Sequence, residues 1–263
     1  MSSSLPAVLS FAASDPTGGA GLQADLLALA SLGCHPLSVV TAVTAQDTRG
    51  VEGLLALEPA WIVRQARVVL ADIPVAAFKI GVLGSARNAR AVAEVLAAHP
   101  RVPVVLDPVL ASGRGDALAD AEVLQAMLTL LLPHTTVATP NSIEARRLAL
   151  ADAEADLTQC VRALIGYGCR YALVTGTHES SAQVVNRLFG AEGLVREDAW
   201  PRLPGEYHGS GCTLASAIAA FLARGLDVPA AVRAAQEYTW KSLQAGIAPG
   251  AGQRLPNRFF ARE

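Results

Sequence analysis

Aromatic residues are scarce in this 263-residue chain: three tryptophans, four tyrosines and six phenylalanines make up 5% of it. Core volume must therefore come from Ala, Leu and Val, the set expected of helices packed on a buried parallel sheet. Charge of neither sign dominates. The net charge is −2 and the pI about 6.2, so no basic face is offered to nucleic acid or to an anionic membrane surface. No apolar run reaches the roughly 18–20 residues of a membrane span. The opening Met1-Ser-Ser-Ser-Leu-Pro6 has no basic n-region, and no signal peptide is expected. The four cysteines, Cys34, Cys160, Cys169 and Cys212, form no C-x-x-C pair. Neither a zinc site nor a disulfide framework is indicated, and a reducing, cytoplasmic setting is expected.

What is present is apolar content: 52% of residues are hydrophobic, enough to bury a large core. Short runs rich in Val, Leu and Ala at 7–13, 37–43, 76–80, 103–107, 136–138 and 171–175 read as buried strands. Amphipathic stretches near 21–32, 59–71, 88–98, 117–131 and 156–167 lie between several of them, and Gly33 and Gly168 stand where helix stops belong. Such alternation predicts a mostly parallel sheet covered by helices on both faces. Residues 183–189 and 193–199 flank Gly190 and Gly193 as an antiparallel edge hairpin. The last third is predicted helical at 211–224 and 229–245. No repeat, linker or composition break divides the chain, and one domain over 1–263 is expected.

Ligands of such sheets sit beyond the carboxyl ends of the strands. The polar residues there are Asp15, Gln46, Asp107, Asn141 and Thr175. The most informative segment is His208-Gly-Ser-Gly-Cys-Thr213, a glycine turn opening an Ala- and Leu-rich helix. A turn of this kind aims backbone N–H groups and the positive end of the helix dipole at one spot, suited to a phosphate. Gly209 and Gly211 form that anion hole, and Ser210 within it is placed with the nucleotide. Cys212 lies at the same helix N-terminus, where a thiolate is expected to be stabilised.

Other segments have plainer readings beside the functional one. Ser14-Asp-Pro-Thr-Gly-Gly-Ala-Gly-Leu-Gln-Ala-Asp25 lets backbone approach a ligand, or is an ordinary strand-to-helix turn. Gln46 has the planar donor and acceptor set that suits the edge of an amino-substituted nitrogen heterocycle, or is a solvated loop residue. Asp107 and Glu144 are candidates for organising magnesium, directly or through water. Asn141 and Glu144 also suit an N-cap and its capping-box partner. His208 stands beside the glycine turn as a candidate phosphate contact, and Lys79 is expected to pair with a carboxylate. The other cysteines are expected to be packing residues.

In order and spacing these motifs, with Thr44-Ala-Gln-Asp-Thr-Arg-Gly50, Lys79-Ile-Gly81, Asp107-Pro-Val109 and Thr139-Pro-Asn-Ser-Ile-Glu144, carry a resemblance. The chain resembles the hydroxymethylpyrimidine/phosphomethylpyrimidine kinases of thiamine biosynthesis, within the ribokinase-like superfamily. The resemblance implies a ribokinase-like three-layer α/β/α sandwich with a mostly parallel central sheet. It implies phosphorylation of 4-amino-5-hydroxymethyl-2-methylpyrimidine by ATP, first to the monophosphate and then to the diphosphate, with Mg2+ and as a homodimer. Gln46 looks like the pyrimidine-recognising glutamine, and Asp25 like the acid that contacts the substrate's polar groups. Ala13, Val82 and Val109 align with pocket-wall positions. Asn141 and Glu144 match the motif that arranges magnesium and phosphate, and Cys212 the catalytic position.

Three departures stand out. Many members have Gly in place of Ala13 and Met in place of Val82. Many also have a phosphate-contacting lysine where this chain reads Thr175-Gly-Thr-His178, so Thr175 supplies a neutral hydrogen bond or another cation substitutes. The alternative activity is that of a pyridoxal or pyridoxine kinase. A protein that keeps the fold without turnover is a third reading, motivated by the missing lysine.

Overall fold

The computed structural model describes residues 5–111 and 118–262. Met1–Ser4 at the N-terminus and Ala117, where the 117–131 helix was expected to begin, lie outside the described residues. Nine strands form one sheet in the order β3-β2-β1-β4-β5-β6-β7-β8-β9. The central strands β1 (Ala7–Ser14), β2 (His35–Gln46), β4 (Ala77–Ile80), β5 (Val104–Leu106), β6 (Val137–Ala138) and β7 (Tyr171–Val174) are parallel. Each expected strand is present, and the expected hairpin is β8 (Gln183–Gly190) with β9 (Gly193–Pro201), antiparallel to β7.

One strand is additional. β3 (Val51–Ala56) runs antiparallel to β2 at the other edge. Glu52 and Gly53 interrupt its apolar pattern, and no residue of β3 is fully buried. An edge strand of this kind carries little of the hydrophobic signal that marks a buried one.

The helices fall on two faces. Strand residues alternate between them as a period of two requires. Leu9, Phe11, Phe78, Ile80 and Leu106 pack on the face covered by α2 (Pro59–Asp72), α3 (Ala86–Ala97) and α4 (Ala121–Ala126). Val8, Ala77, Val105, Val137 and Leu173 face α1 (Gly21–Ser31), α7 (Ser210–Ala223) and α8 (Val228–Gln244). α5 (Ser142–Leu148) and α6 (Leu157–Gly166) cover β7 and β8. The expected 117–131 helix is shorter: α4 passes into a wider π-helical turn at Met127–Leu131 and then a 3-10 turn holding Pro133. No helix among the described residues is long and apolar enough to cross a membrane.

The connection from β1 leads to β2 on one side, while the later parallel strands add beyond β4 on the other. This reversal opens a crevice at the carboxyl ends of β1 and β4. Residues 247–258, beyond α8, return across that end. Ile247 bridges Leu255, and Tyr207 bridges Arg254.

Phe78 is fully buried, with its ring 6.1 Å from Phe11 and 5.8 Å from His99. Phe78→Ala is expected to cost about 3–5 kcal/mol in chemical denaturation. A loss under about 1 kcal/mol would show that the face closes without it.

Candidate active site

Asp15, Gln46, Asp107, Asn141, Thr175 and Cys212 all line one cavity of about 620 Å³ at the carboxyl ends of the strands. The sheet order brings them together; in sequence they are spread from residue 15 to residue 212.

The 208–213 turn forms one wall. α3, α4, α5, α6 and α8 each begin on a side chain that caps a backbone N–H, whereas α1 and α2 do not. α7 begins on Gly209 with no such cap. Its first turn, Ser210 to Cys212, lines the cavity, so its uncapped N–H groups are open to a ligand there, with the helix dipole behind them. Gly209 has φ 84°, and a Cβ there would overlap the Gly19 carbonyl oxygen. A Cβ on Gly211 would instead sit 3.6 Å from Asp107 Oδ1, in ordinary contact. Gly209 is thus demanded by the fold, whereas Gly211 keeps open the space between the turn and a carboxylate. Ser210, between them, also lines the cavity.

Asp15 ties this turn to the first glycine turn. Its carboxylate accepts from Thr17 N–H (2.8 Å), Thr17 Oγ1 (2.9 Å) and Ala20 N–H (2.7 Å), and contacts His208 Nε2 at 2.9 Å. Burial opposes the Asp15 charge, but these bonds, led by His208, outweigh it and hold its pKa below the ordinary value. The Nε2 atom of His208, the candidate phosphate contact, is engaged by Asp15.

Under the turn lies a buried charged cluster. Lys79 pairs with Asp25 at 2.9 Å, both side chains fully buried, and its Nζ is 4.0 Å from Asp107 Oδ2. Burial works against the ammonium, yet Asp25, Cys212 and Asp107 more than compensate, and the Lys79 pKa is raised. The expected carboxylate partner of Lys79 is therefore Asp25. The expectation that Asp25 contacts substrate is corrected. Its oxygens go to Lys79 and to Ser216 Oγ (2.8 Å), and it is absent from the cavity wall. The reason is helical phase: Leu22, Ala24, Asp25, Ala28 and Leu29 form the buried stripe of α1. Removing one partner of such a pair costs about 3–5 kcal/mol.

Cys212 also needs correction. Burial pushes its thiol up to about 12, against the lowering effect of Lys79. The stabilised thiolate expected from the helix N-terminus is not what this environment produces in the unliganded protein. The thiol lies within hydrogen-bonding reach of Asp107, whose pKa is raised by burial. Asp107 Oδ2 is buried and has no hydrogen-bond partner among the described residues.

Asn141 and Glu144 form a complete capping box on α5, with both bonds at 2.9 Å. The plain reading of these two residues holds, and both also face the cavity. Burial first and Asp107 second push the Glu144 carboxyl up to about 8. Among the described residues no three His, Cys, Asp or Glu side chains converge as direct metal ligands. An orphaned carboxylate oxygen on Asp107 beside a second carboxylate nevertheless suits a cation that keeps its own waters.

Ala13, Val82 and Val109 supply an apolar part of the wall next to Gln46. Gln46 Nε2 donates to Thr44 Oγ1 (2.8 Å), which donates to the Ser14 carbonyl (2.8 Å). The amide is thereby oriented, and its carbonyl oxygen has no hydrogen-bond partner among the described residues. At the other end the wall comes from β8, β9 and α8, which sequence reasoning did not single out. Trp200 and Trp240 stack at 6.2 Å. Gln236 joins Asn186 (2.9 Å), Trp200 (3.0 Å) and Asp198 (2.9 Å). Arg202 donates to the carbonyls of Thr177, Glu179 and Ser181, clamping the loop after Thr175. No local pattern marks these residues, because only the folded hairpin and α8 bring them to the cavity.

Uncapped N–H donors in one cavity with an apolar wall and an oriented amide suit transfer of a phosphoryl group to a small molecule, since that chemistry is chiefly positioning and charge stabilisation. With this sheet, they define a small-molecule phosphotransferase of the ribokinase-like class. The family described as phosphomethylpyrimidine kinase matches residues 15–257. The hydroxymethylpyrimidine/phosphomethylpyrimidine kinase of Streptomyces coelicolor is 45% identical over 253 residues, 94% of this chain and 92% of that protein. The thiamine biosynthesis bifunctional protein ThiED of Geobacter sulfurreducens is 37% identical over 97% of this chain and 53% of its own length. Among solved structures, an ADP complex of Bacillus subtilis pyridoxal kinase has a TM-score of 0.90 at 25% identity, covering 98% of this chain and 99% of that one. The chain belongs to the phosphomethylpyrimidine kinase family.

The two turn glycines should separate fold from function. Gly209→Ala is expected to lower stability by about 2 kcal/mol or more. Gly211→Ala should stay within about 1 kcal/mol of wild type and lose about 10²-fold in turnover, as its methyl displaces the reacting group. Equal stability losses in the two variants would contradict the assignment.

Glu144 gives a pH dependence. Its folded pKa of about 8 lies above the ordinary 4.5, so within that window the native state holds a proton that the unfolded chain has released. Stability of the unliganded protein therefore falls as pH rises through the window and is retained below it. The loss should be on the order of 2 kcal/mol, less than the full shift because Glu144 is partly exposed. Glu144→Gln keeps the capping geometry and should flatten this slope; identical slopes in urea titrations of the two proteins would refute it.

Proposed function

We propose that the protein, as one domain over 1–263, transfers the γ-phosphoryl group of ATP to the hydroxymethyl oxygen of 4-amino-5-hydroxymethyl-2-methylpyrimidine, and then to the resulting monophosphate. The observation that carries this reading is the joining, in one cavity, of the uncapped 209–212 turn with the oriented amide of Gln46. Gln46 reads the edge of the pyrimidine, and Ala13, Val82 and Val109 enclose its faces. The backbone N–H groups of Ser210, Gly211 and Cys212 hold the transferring group as charge develops on it. Cys212 meets the acceptor hydroxyl and orients it, with burial keeping its thiol protonated in the unliganded protein. Asn141 and Thr175 border the nucleotide phosphates.

Asp107 and Glu144 are the residues suited to Mg2+, held directly or through water. The ion, when bound, neutralises phosphate charge. Free, buried cysteines suit a reducing cytoplasm. A homodimer is expected from the family and is checked by sedimentation.

The test is an ADP-release assay with a panel of hydroxymethyl heterocycles. The pyrimidine is expected to exceed pyridoxal in kcat/KM by at least about tenfold. The reverse preference would install the pyridoxal kinase reading, which the similarity to the Bacillus subtilis enzyme favours, and absence of ADP release with every compound would remove both. Cys212→Ala should reduce kcat by about 10²–10⁴; near-normal turnover would leave the thiol a packing role.

A further inference from the structure

The chain carries only two lysines, Lys79 and Lys241. The first is locked beneath the turn with Asp25, and the second sits on the exposed face of α8 with Glu237. A further cation braces the back of the anion turn. It is Arg258, from the segment that returns across the site after α8.

Arg258 is 4% exposed. Its guanidinium Nε donates to Thr213 Oγ1 (3.1 Å), Nη1 to the Gly18 carbonyl (3.3 Å) and Nη2 to the Gly19 carbonyl. Thr213 in turn donates to the Gly209 carbonyl through Oγ1 (2.8 Å) and N–H (3.0 Å). One side chain therefore binds both glycine turns, the first through its carbonyls and the second through Thr213. Among the described residues, Arg258 forms no ion pair with a carboxylate. Charges are rarely buried without a partner, because desolvation is costly. Here only neutral carbonyls and a hydroxyl bond it, with Asp15, Asp25, Cys212 and Tyr238 acting on it at longer range, and the space on the far side of the turn is the cavity. Its backbone is fixed as well: the Tyr238 hydroxyl donates to the Arg258 carbonyl at 2.9 Å, and Asn257 N–H to the Ser242 carbonyl at 2.9 Å.

We propose that Arg258 is a positioning residue of the phosphate site, which sets the 209–212 turn against the 18–20 turn and adds a buried positive charge behind the N–H donors that receive the transferring group. It supplies charge in a site that has threonine, not lysine, at position 175. This inference rests on reading the 209–212 turn as the phosphate site. A unit charge about 6–10 Å from an anion, at an effective dielectric of about 20, changes its binding by about 10–100-fold.

The experiment uses the full chain. Binding of magnesium AMP-PNP is measured by thermal shift and calorimetry, and steady-state kinetics follow ADP release, for wild type and for Arg258→Met, Arg258→Lys and Arg258→His. R258M is expected to weaken nucleotide binding and kcat/KM for ATP by about 10–100-fold, with KM for the pyrimidine changed by less than about threefold. R258K, which retains the charge, should recover to within about fivefold of wild type. R258H should approach wild type as pH falls and its imidazole gains a proton, a readout that a merely structural role would not move.

Wild-type behaviour in R258M overturns the proposal. So does R258K as impaired as R258M at equal stability. If R258M fails to fold, R258K and R258H decide the matter: a flat pH dependence of R258H relative to wild type, with R258K impaired, overturns it. If wild type itself binds no nucleotide, the phosphate reading of the turn falls and takes this inference with it. If wild type binds and R258M binds equally, only the inference about Arg258 falls.

Discussion

The site depends on one backbone approach. The turn at 18–20 and the turn at 208–212 lie so close that Gly209 has no room for a side chain. α7 begins there without a side-chain cap, and Asp15 through His208 and Arg258 through Thr213 brace the turn from outside the helix. A helix that capped itself would spend its first N–H groups internally. The donors that face the cavity are thus available because two other parts of the chain hold the turn in shape.

A second constraint is electrostatic. Asp25, Lys79, Asp107 and Cys212 are all buried, on α1, β4, the end of β5 and α7. The Asp25–Lys79 pair is internally satisfied and fixes the position of the ammonium beneath the site. Asp107 is left with an oxygen that has no hydrogen-bond partner among the described residues. The contrast matters: a satisfied pair forms scaffold, whereas a buried acceptor with no partner remains costly until a ligand arrives. The raised pKa values of Asp107, Glu144 and Cys212 have this common origin, in burial of acidic groups near one another.

Much of the framework was legible in the sequence because buried parallel strands are short, continuous apolar runs, and turns at their carboxyl ends gather the ligand-facing residues. β1, β2 and β4 to β7 followed from that signal, and β8 and β9 from the glycines between them. The placing of Asp15, Gln46, Asp107, Asn141, Thr175 and Cys212 along one cavity followed from the strand ends and the glycine turn. β3 did not, since an edge strand with Glu52 and Gly53 has no buried face to mark it. Asp25 was misplaced because a motif gives position along the chain but not the phase of a helix. The thiolate expected of Cys212 failed because burial outweighs the favourable end of the helix.

The sequence by itself determined the class of fold, the family and the chemistry on offer at each strand end, since these follow from local periodicity and from motifs of fixed spacing. Only the tertiary structure decided which polar groups face a ligand and which satisfy one another. Asp25 was turned inward to Lys79. Trp200, Gln236 and Arg202 reached the cavity from the hairpin and α8. Arg258 came back from beyond the last helix to stand behind the glycine turn. Burial and pairing set the charge state of each of these groups, and both are properties of contacts between distant parts of the chain.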